Sequence, residues 1–328
     1  MRAAFAMTPG LQHRFFDDDL LDQLGGLVDL DPEVVLQTFD EPGIADIEVL
    51  VTSWGCPPLD RRALDSMPRL RAIVHAAGSV KHLVGPEVWE RNLRVTSAAA
   101  VNARPVAEFT LAAILWAGKN VLPLTERFRV DRTAPDLTTD VGIPGNHRTT
   151  VGVLGASATG RALIDLLAPF DLDVRLADPT IGTAEAATLG AQLVDLDELF
   201  ASSRVVSVHA PLLPETRHLV DRRLLALMPD GATLVNTARG PVVDHDALRD
   251  ELVGGRLHAI LDVTEPEPLP ADDPLWTLPN VTLTPHVAGS LGNELLRLGR
   301  AAVEEVRALV EGRPPLWPVT RATLTTSA

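Results

Sequence analysis

Three short segments of this chain carry side chains that could work together: Arg239 in NTARG (236–240), Glu267 in EPEPL (265–269) and His286 in TPH (284–286). They follow, in that order, a Gly-rich turn at 152–160. A guanidinium is a permanent planar cation that grips a carboxylate with two parallel hydrogen bonds. An imidazole trades a proton near neutral pH, and a carboxylate behind it accepts the second ring N–H and sets the tautomer. Downstream of a nucleotide-binding turn, such a set suits hydride exchange between a nicotinamide and a 2-hydroxy or 2-keto acid. Each residue also has an ordinary alternative: a capping arginine, a solvated loop acid, a structural histidine. Arg239 ends an apolar run just before Gly240, which aims it at the carboxyl edge of a sheet, where ligands bind. Composition alone does not separate Glu267 from Glu265.

The turn reads VGVLGASATGRALIDLL (151–167): strand, tight turn, helix. Gly155, Ser157 and Gly160 occupy the three positions of GxGxxG, with serine in the middle. The first glycine permits the turn, the last lets helix pack on strand, and the middle position brings a pyrophosphate to the backbone N–H groups. Ser157 places a small hydroxyl there, able to crowd the phosphate or to bond it. Asp178 closes the next strand, where an acid bonds the ribose hydroxyls. Its charge would repel a 2′-phosphate and no arginine follows in DPTIGT, so NAD is favoured over NADP.

The elements that must position these residues alternate in kind. Apolar runs at 47–52, 70–75, 150–154, 173–177, 204–208, 232–236 and 257–262 read as strands covered on both faces. Helical period marks 106–118, 158–169, 195–201, 220–228, 244–253 and the amphipathic 293–312. This is the pattern of a parallel α/β sheet. The polar stretch 128–149 has no clean period and reads as an extended arm or loop. Because the nucleotide signature starts only at 151, the first hundred residues must form another unit, to which the last thirty return. The division expected is 1–103 plus 295–328 as one lobe and 104–294 as the other, with small ligands bound in a cleft.

Bulk composition narrows the function classes. With 328 residues, two domains are the natural expectation. A net charge of −15, from 44 acids and 29 bases, argues against nucleic acid as a partner. The single cysteine, Cys56, permits no internal disulfide. The N-terminus does not look like a signal peptide, and the apolar run 109–117 is too short to span a bilayer, so a cytoplasmic protein with no membrane partner is expected. No metal-ligand spacing is visible, and no metal is expected. Trp54, after a predicted strand, divides evenly between covering a substrate and filling the core.

In register, these motifs resemble the D-isomer-specific 2-hydroxyacid dehydrogenase family. The resemblance runs from about residue 70 to 315 and is most specific at 205–220, 232–248 and 261–289. It implies a Rossmann-type doubly wound domain inserted into a smaller flavodoxin-like domain, NAD as cofactor, and a homodimer through the nucleotide domains. It implies Arg239 as the substrate-binding arginine, His286 as acid/base and Glu267, not Glu265, as its partner. By the same register His209, Pro211 and Thr216 line the cofactor channel, Ala238 and Asp262 face the carboxamide, and Thr159 and Gly289 join the cofactor contacts. The substrate loop is Ala77-Gly78-Ser79-Val80-Lys81, whose N–H groups at Gly78 and Ser79 could hold a carboxylate. Departures are Ser157, Ala158 in place of the common arginine, Lys81 in place of an aspartate, and VAGSLGN after His286. The activity implied is NAD-dependent interconversion of a 2-keto acid and a D-2-hydroxy acid. Phosphite or formate oxidation on the same site, or an NAD-sensing corepressor-like binder, are the rivals.

Overall fold

A computed structural model describes residues 1–134, 136 and 145–324. The chain divides into two compact units, one from Met1–Asn102 with the segment starting at Ser290, the other Ala103–Gly289.

In the first unit, β1 (Ala3–Ala6), β2 (Val35–Leu36), β3 (Val49–Thr52), β4 (Ala72–His75) and β5 (Arg94–Ser97) form a parallel sheet in the order β2-β1-β3-β4-β5. That is the flavodoxin-like order. A short strand, Pro318–Val319, adds antiparallel to β5. Alternate residues feed two cores, Phe5, Val49, Val51 and Val74 on one face and Leu50, Ile73 and Val95 on the other. The first face is covered by helix Asp18–Leu27, whose N-terminus is capped by Asp17, and by helix Leu295–Val310, which buries Leu295, Leu298, Val303 and Val306.

The second unit carries β6 (Thr149–Leu154), β7 (Leu172–Ala177), β8 (Gln192–Leu193), β9 (Val205–Val208), β10 (Thr233–Asn236), β11 (His258–Leu261) and β12 (Val281–Leu283). All are parallel, in the order β8-β7-β6-β9-β10-β11-β12. The order reverses between β6 and β9, the switch point at which doubly wound sheets bind ligands. Central strands are buried on both sides: Val205 to Val208 and Thr233 to Asn236 show no exposed residue.

Several sequence expectations change. Residues 128–131 are not an arm: they end the helix Val121–Asp131, which buries no side chain and therefore shows no apolar period. Of the rest of that stretch, 135 and 137–144 lie outside the described residues. The helix expected from 106 starts at Ala99 and runs through Pro105. The second unit boundary falls at 289/290 rather than 294/295, since Ser290 N–H donates to the Asn102 side chain and 292–294 lead into helix Leu295–Val310.

Candidate active site

The Gly-rich turn sits at the switch point. Gly155 has φ 103°, and a Cβ there would lie 2.7 Å from the Ala210 nitrogen, so a side chain is excluded by both backbone and neighbour. Ser157 is the N-cap of helix Ala158–Leu167: its hydroxyl accepts from Gly160 N–H at 3.3 Å. The serine in the middle position thus stabilises the helix start, and Thr159 stands half-buried in the first turn. His209 lies beneath the turn, 3% exposed, its Nε2 2.7 Å from the Ser207 hydroxyl. Burial pushes its pKa down to about 3, so the ring is neutral. It packs under the turn rather than opening onto solvent.

Asp178 follows β7 and ties the turn down, accepting from Ala156 N–H at 2.6 Å and from Thr180 N–H at 2.8 Å. Partial burial raises its pKa, but bonds from Thr180 and Ala156 and the Arg161 charge outweigh that and hold the carboxyl below its usual range. A carboxylate charged at neutral pH thus stands just beyond β7, against the Gly-rich turn. Pro211 and Thr216 belong to one loop after β9, and the Thr216 hydroxyl is committed to it, bonding Pro211 O and Leu213 N–H.

Arg239 ends the turn after β10, with Asn236 bracing it: the Asn236 Oδ1 accepts from Ala238 N–H and its Nδ2 donates to Arg239 O, both at 3.0 Å. The guanidinium donates to Ala238 O at 2.7 Å. Burial pulls its pKa down while the Glu267 charge pulls it up, which places the two side chains within electrostatic reach. The reason for that proximity is Gly240, where a Cβ would fall 1.9 Å from Thr264 O. Only glycine lets the strand-end turn of Arg239 lie against the loop that carries Glu267.

Glu267 Oε1 receives His286 Nδ1 at 2.7 Å, with both side chains about half exposed. His286 has φ 55°, an uncommon conformation for a residue with a Cβ. It is held there by Asp262, 2% exposed. The Asp262 carboxylate accepts from Thr284 Oγ1 at 2.5 Å, Val287 N–H at 2.8 Å and Ala288 N–H at 2.9 Å, while its carbonyl accepts from His286 N–H. Asp262, expected to face a carboxamide, has its carboxylate engaged in fixing the turn on either side of His286; Gly289 ends this segment, half-buried. No local signal in the sequence announced this clamp, because its partners lie more than twenty residues away.

The remaining expected residues belong to the first unit. Trp54 packs edge-on against Phe15 at 5.3 Å yet stays 40% exposed, so it is partly core and partly surface. Ala77 is buried, Gly78 O accepts from Ser97 Oγ at 2.8 Å, and Ser79 Oγ accepts from Lys81 N–H. Among the described residues no acceptor pairs with the Gly78 or Ser79 N–H. Cys56 is buried and its thiol pushed up to about 12, which leaves it inert. Among the described residues no helix is long and apolar enough to cross a membrane.

The second unit is therefore a doubly wound sheet with a charged acid beyond β7 and a carboxylate-backed imidazole at its carboxyl edge, the class of fold that binds dinucleotides. The family described as "D-isomer specific 2-hydroxyacid dehydrogenase, NAD binding domain" matches residues 111–288. Glyoxylate reductase of Thermofilum pendens is 33% identical over 263 residues, covering 78% of this chain and 77% of that protein. D-3-phosphoglycerate dehydrogenase of Mycobacterium bovis is 33% identical over 77% of this chain, which spans only 48% of that longer protein. The crystal structure of a D-isomer specific 2-hydroxyacid dehydrogenase from Xanthobacter autotrophicus Py2, in complex with NADPH and MES, is 27% identical, with a TM-score of 0.77 covering 98% of this chain and 99% of that one. The chain belongs to the D-isomer specific 2-hydroxyacid dehydrogenase family and is an NAD-dependent oxidoreductase.

Proposed function

We propose that the chain interconverts a small 2-keto acid and the D-2-hydroxy acid, with Arg239 binding the carboxylate and His286 moving the proton. The observation that carries this reading is the 2.7 Å bond between Glu267 and His286, with the half-buried Arg239 at the end of the neighbouring strand within electrostatic reach of Glu267. Glu267 accepts a hydrogen bond from His286 Nδ1–H, which leaves Nε2 as the atom that gives a proton to the carbonyl oxygen or takes it back. NADH, when bound, supplies the hydride. The groups available to hold the dinucleotide are the start of helix Ala158–Leu167, the Asp178 carboxylate and the loop of Pro211 and Thr216. In the first unit, the N–H groups of Gly78 and Ser79, which meet no acceptor among the described residues, suit an acid's carboxylate, with Ala77 shaping the loop and the exposed part of Trp54 limiting side-chain size.

We assign a homodimer through the nucleotide-binding unit, since Trp116, Phe128 and Val130 of that unit are 51%, 53% and 69% exposed. Sedimentation at micromolar concentration tests this, with a monomer as the contrary result. The activity is tested with a panel of glyoxylate, pyruvate, hydroxypyruvate and branched or aromatic 2-keto acids, following NADH absorbance. Turnover of at least one is expected. Tight NADH binding with no turnover of any would instead favour a nucleotide-sensing binder.

A further inference from the structure

Two glutamates flank Pro266, and the structure gives them different work. Glu267 meets His286, whereas Glu265 turns to the loop after β9, where Arg217 Nη2 lies 2.5 Å from its Oε1 and His218 Nε2 lies 3.0 Å from its Oε2. These bonds outweigh partial burial and hold the Glu265 carboxyl below its usual range. His218 is itself fixed, with φ 53° and its N–H donating to Pro241 O at 2.8 Å, next to Gly240. On the other side Glu265 N–H donates to His245 Nε2 at 3.3 Å, while His245 Nδ1 lies 3.2 Å from Val243 O. An accepting Nε2 requires the proton on Nδ1, so His245 is a neutral relay between backbone groups, consistent with burial lowering its pKa. Glu265, Arg249 and Asp273 are the charged neighbours of that ring.

We propose that Glu265 is a positioning residue for the reaction: with Arg217, His218 and His245 it holds the 264–268 loop so that Glu267 stays at His286 Nδ1. This rests on the activity proposed above and extends it to the side chains that do not touch substrate. The physical case is that a free loop would let Glu267, itself half exposed, leave its partner for water. Two bonds to the Glu265 carboxylate, one to its N–H and the Gly240 contact restrain the loop from three directions.

The test uses the full chain carrying Glu265→Ala and Glu265→Gln, read by activity and by long-range proton–nitrogen NMR of labelled histidine rings. In the wild type the neutral His286 ring carries its proton on Nδ1; in Glu265→Ala that preference is lost. kcat falls about 10- to 100-fold while KM and NADH affinity hold, as expected for a displaced catalytic group. Glu265→Gln, which keeps an acceptor for Arg217, recovers most of the rate. In a His286→Ala background, Glu265→Ala costs nothing further. An unchanged His286 tautomer in Glu265→Ala, or an additive loss in the double variant, overturns the proposal. If the wild type turns over no 2-keto acid, the proposed activity fails, and the tautomer alone still decides the role of Glu265.

Discussion

Replacing Gly240 by alanine is the sharpest probe of how the site is built. The new methyl would start 1.9 Å from Thr264 O, 2.2 Å from Thr264 C and 2.9 Å from Glu265 N, all backbone atoms. Moving the carbonyl oxygen from 1.9 Å to a tolerable 3.0 Å requires a retreat of about 1.1 Å, and the loop of Glu265 and Glu267 must go with it. A displacement of that size between catalytic groups costs on the order of 10²-fold in rate. Gly240→Ala is therefore expected to lower kcat/KM about 10²-fold in steady-state reduction of the best 2-keto acid. NADH affinity by fluorescence titration should change little, since the Gly-rich turn and Asp178 are untouched. Far-UV circular dichroism confirms that the variant folds. A folded Gly240→Ala enzyme with kcat/KM within about threefold of wild type would refute the reasoning.

Other consequences follow from the same geometry. With the Asp178 carboxyl charged at neutral pH, the wild type should prefer NADH; Asp178→Ala should raise the NADPH-to-NADH ratio of kcat/KM by about 10- to 100-fold through lost charge repulsion. A wild type that prefers NADPH would contradict the assignment of that carboxylate. His75 and His209 are buried with pKa values pushed down to about 3, while an unfolded histidine titrates near 6.5. Between those values the unfolded chain binds protons that the folded chain does not, so stability is lost as pH falls below about 6.5, by about 1.4 kcal/mol per pH unit for each ring. His209→Gln should flatten that slope by one ring's share in urea unfolding between about pH 6 and 4; an unchanged slope would show that the ring is not held neutral.

The parallel sheet of the second unit was legible because buried strands are near-continuous apolar runs. What the sequence hid follows physical lines. Ala3–Ala6 is a central strand of the first unit, but three of its four residues are alanine, a poor strand former. Helix Asp18–Leu27 carries Leu20, Leu24 and Leu27 at helical spacing but has Gly25 and Gly26, poor helix formers, in its last turn, whereas Val121–Asp131 buries no side chain and shows no apolar period. The helix expected over 106–118 begins earlier, at Ala99, and runs through Pro105, a residue that disfavours helix interiors. At the candidate site, Arg239 and His286 stand out by their local frames, NTARG and TPH. The choice of Glu267 over Glu265 needed the family register, and the structure now separates the two by their partners. The roles of Asp262, Asn236 and Gly240 depend on contacts between turns at different strand ends. No local pattern encodes those.

The central claim is that the Glu267-supported ring of His286 moves the proton while Arg239 holds the acid. Single-turnover reduction of the best 2-keto acid by NADH-loaded His286→Ala tests it most directly. The hydride-transfer rate should fall about 10²- to 10⁴-fold with the NADH dissociation constant unchanged. A variant that transfers hydride at nearly the wild-type rate would contradict the account.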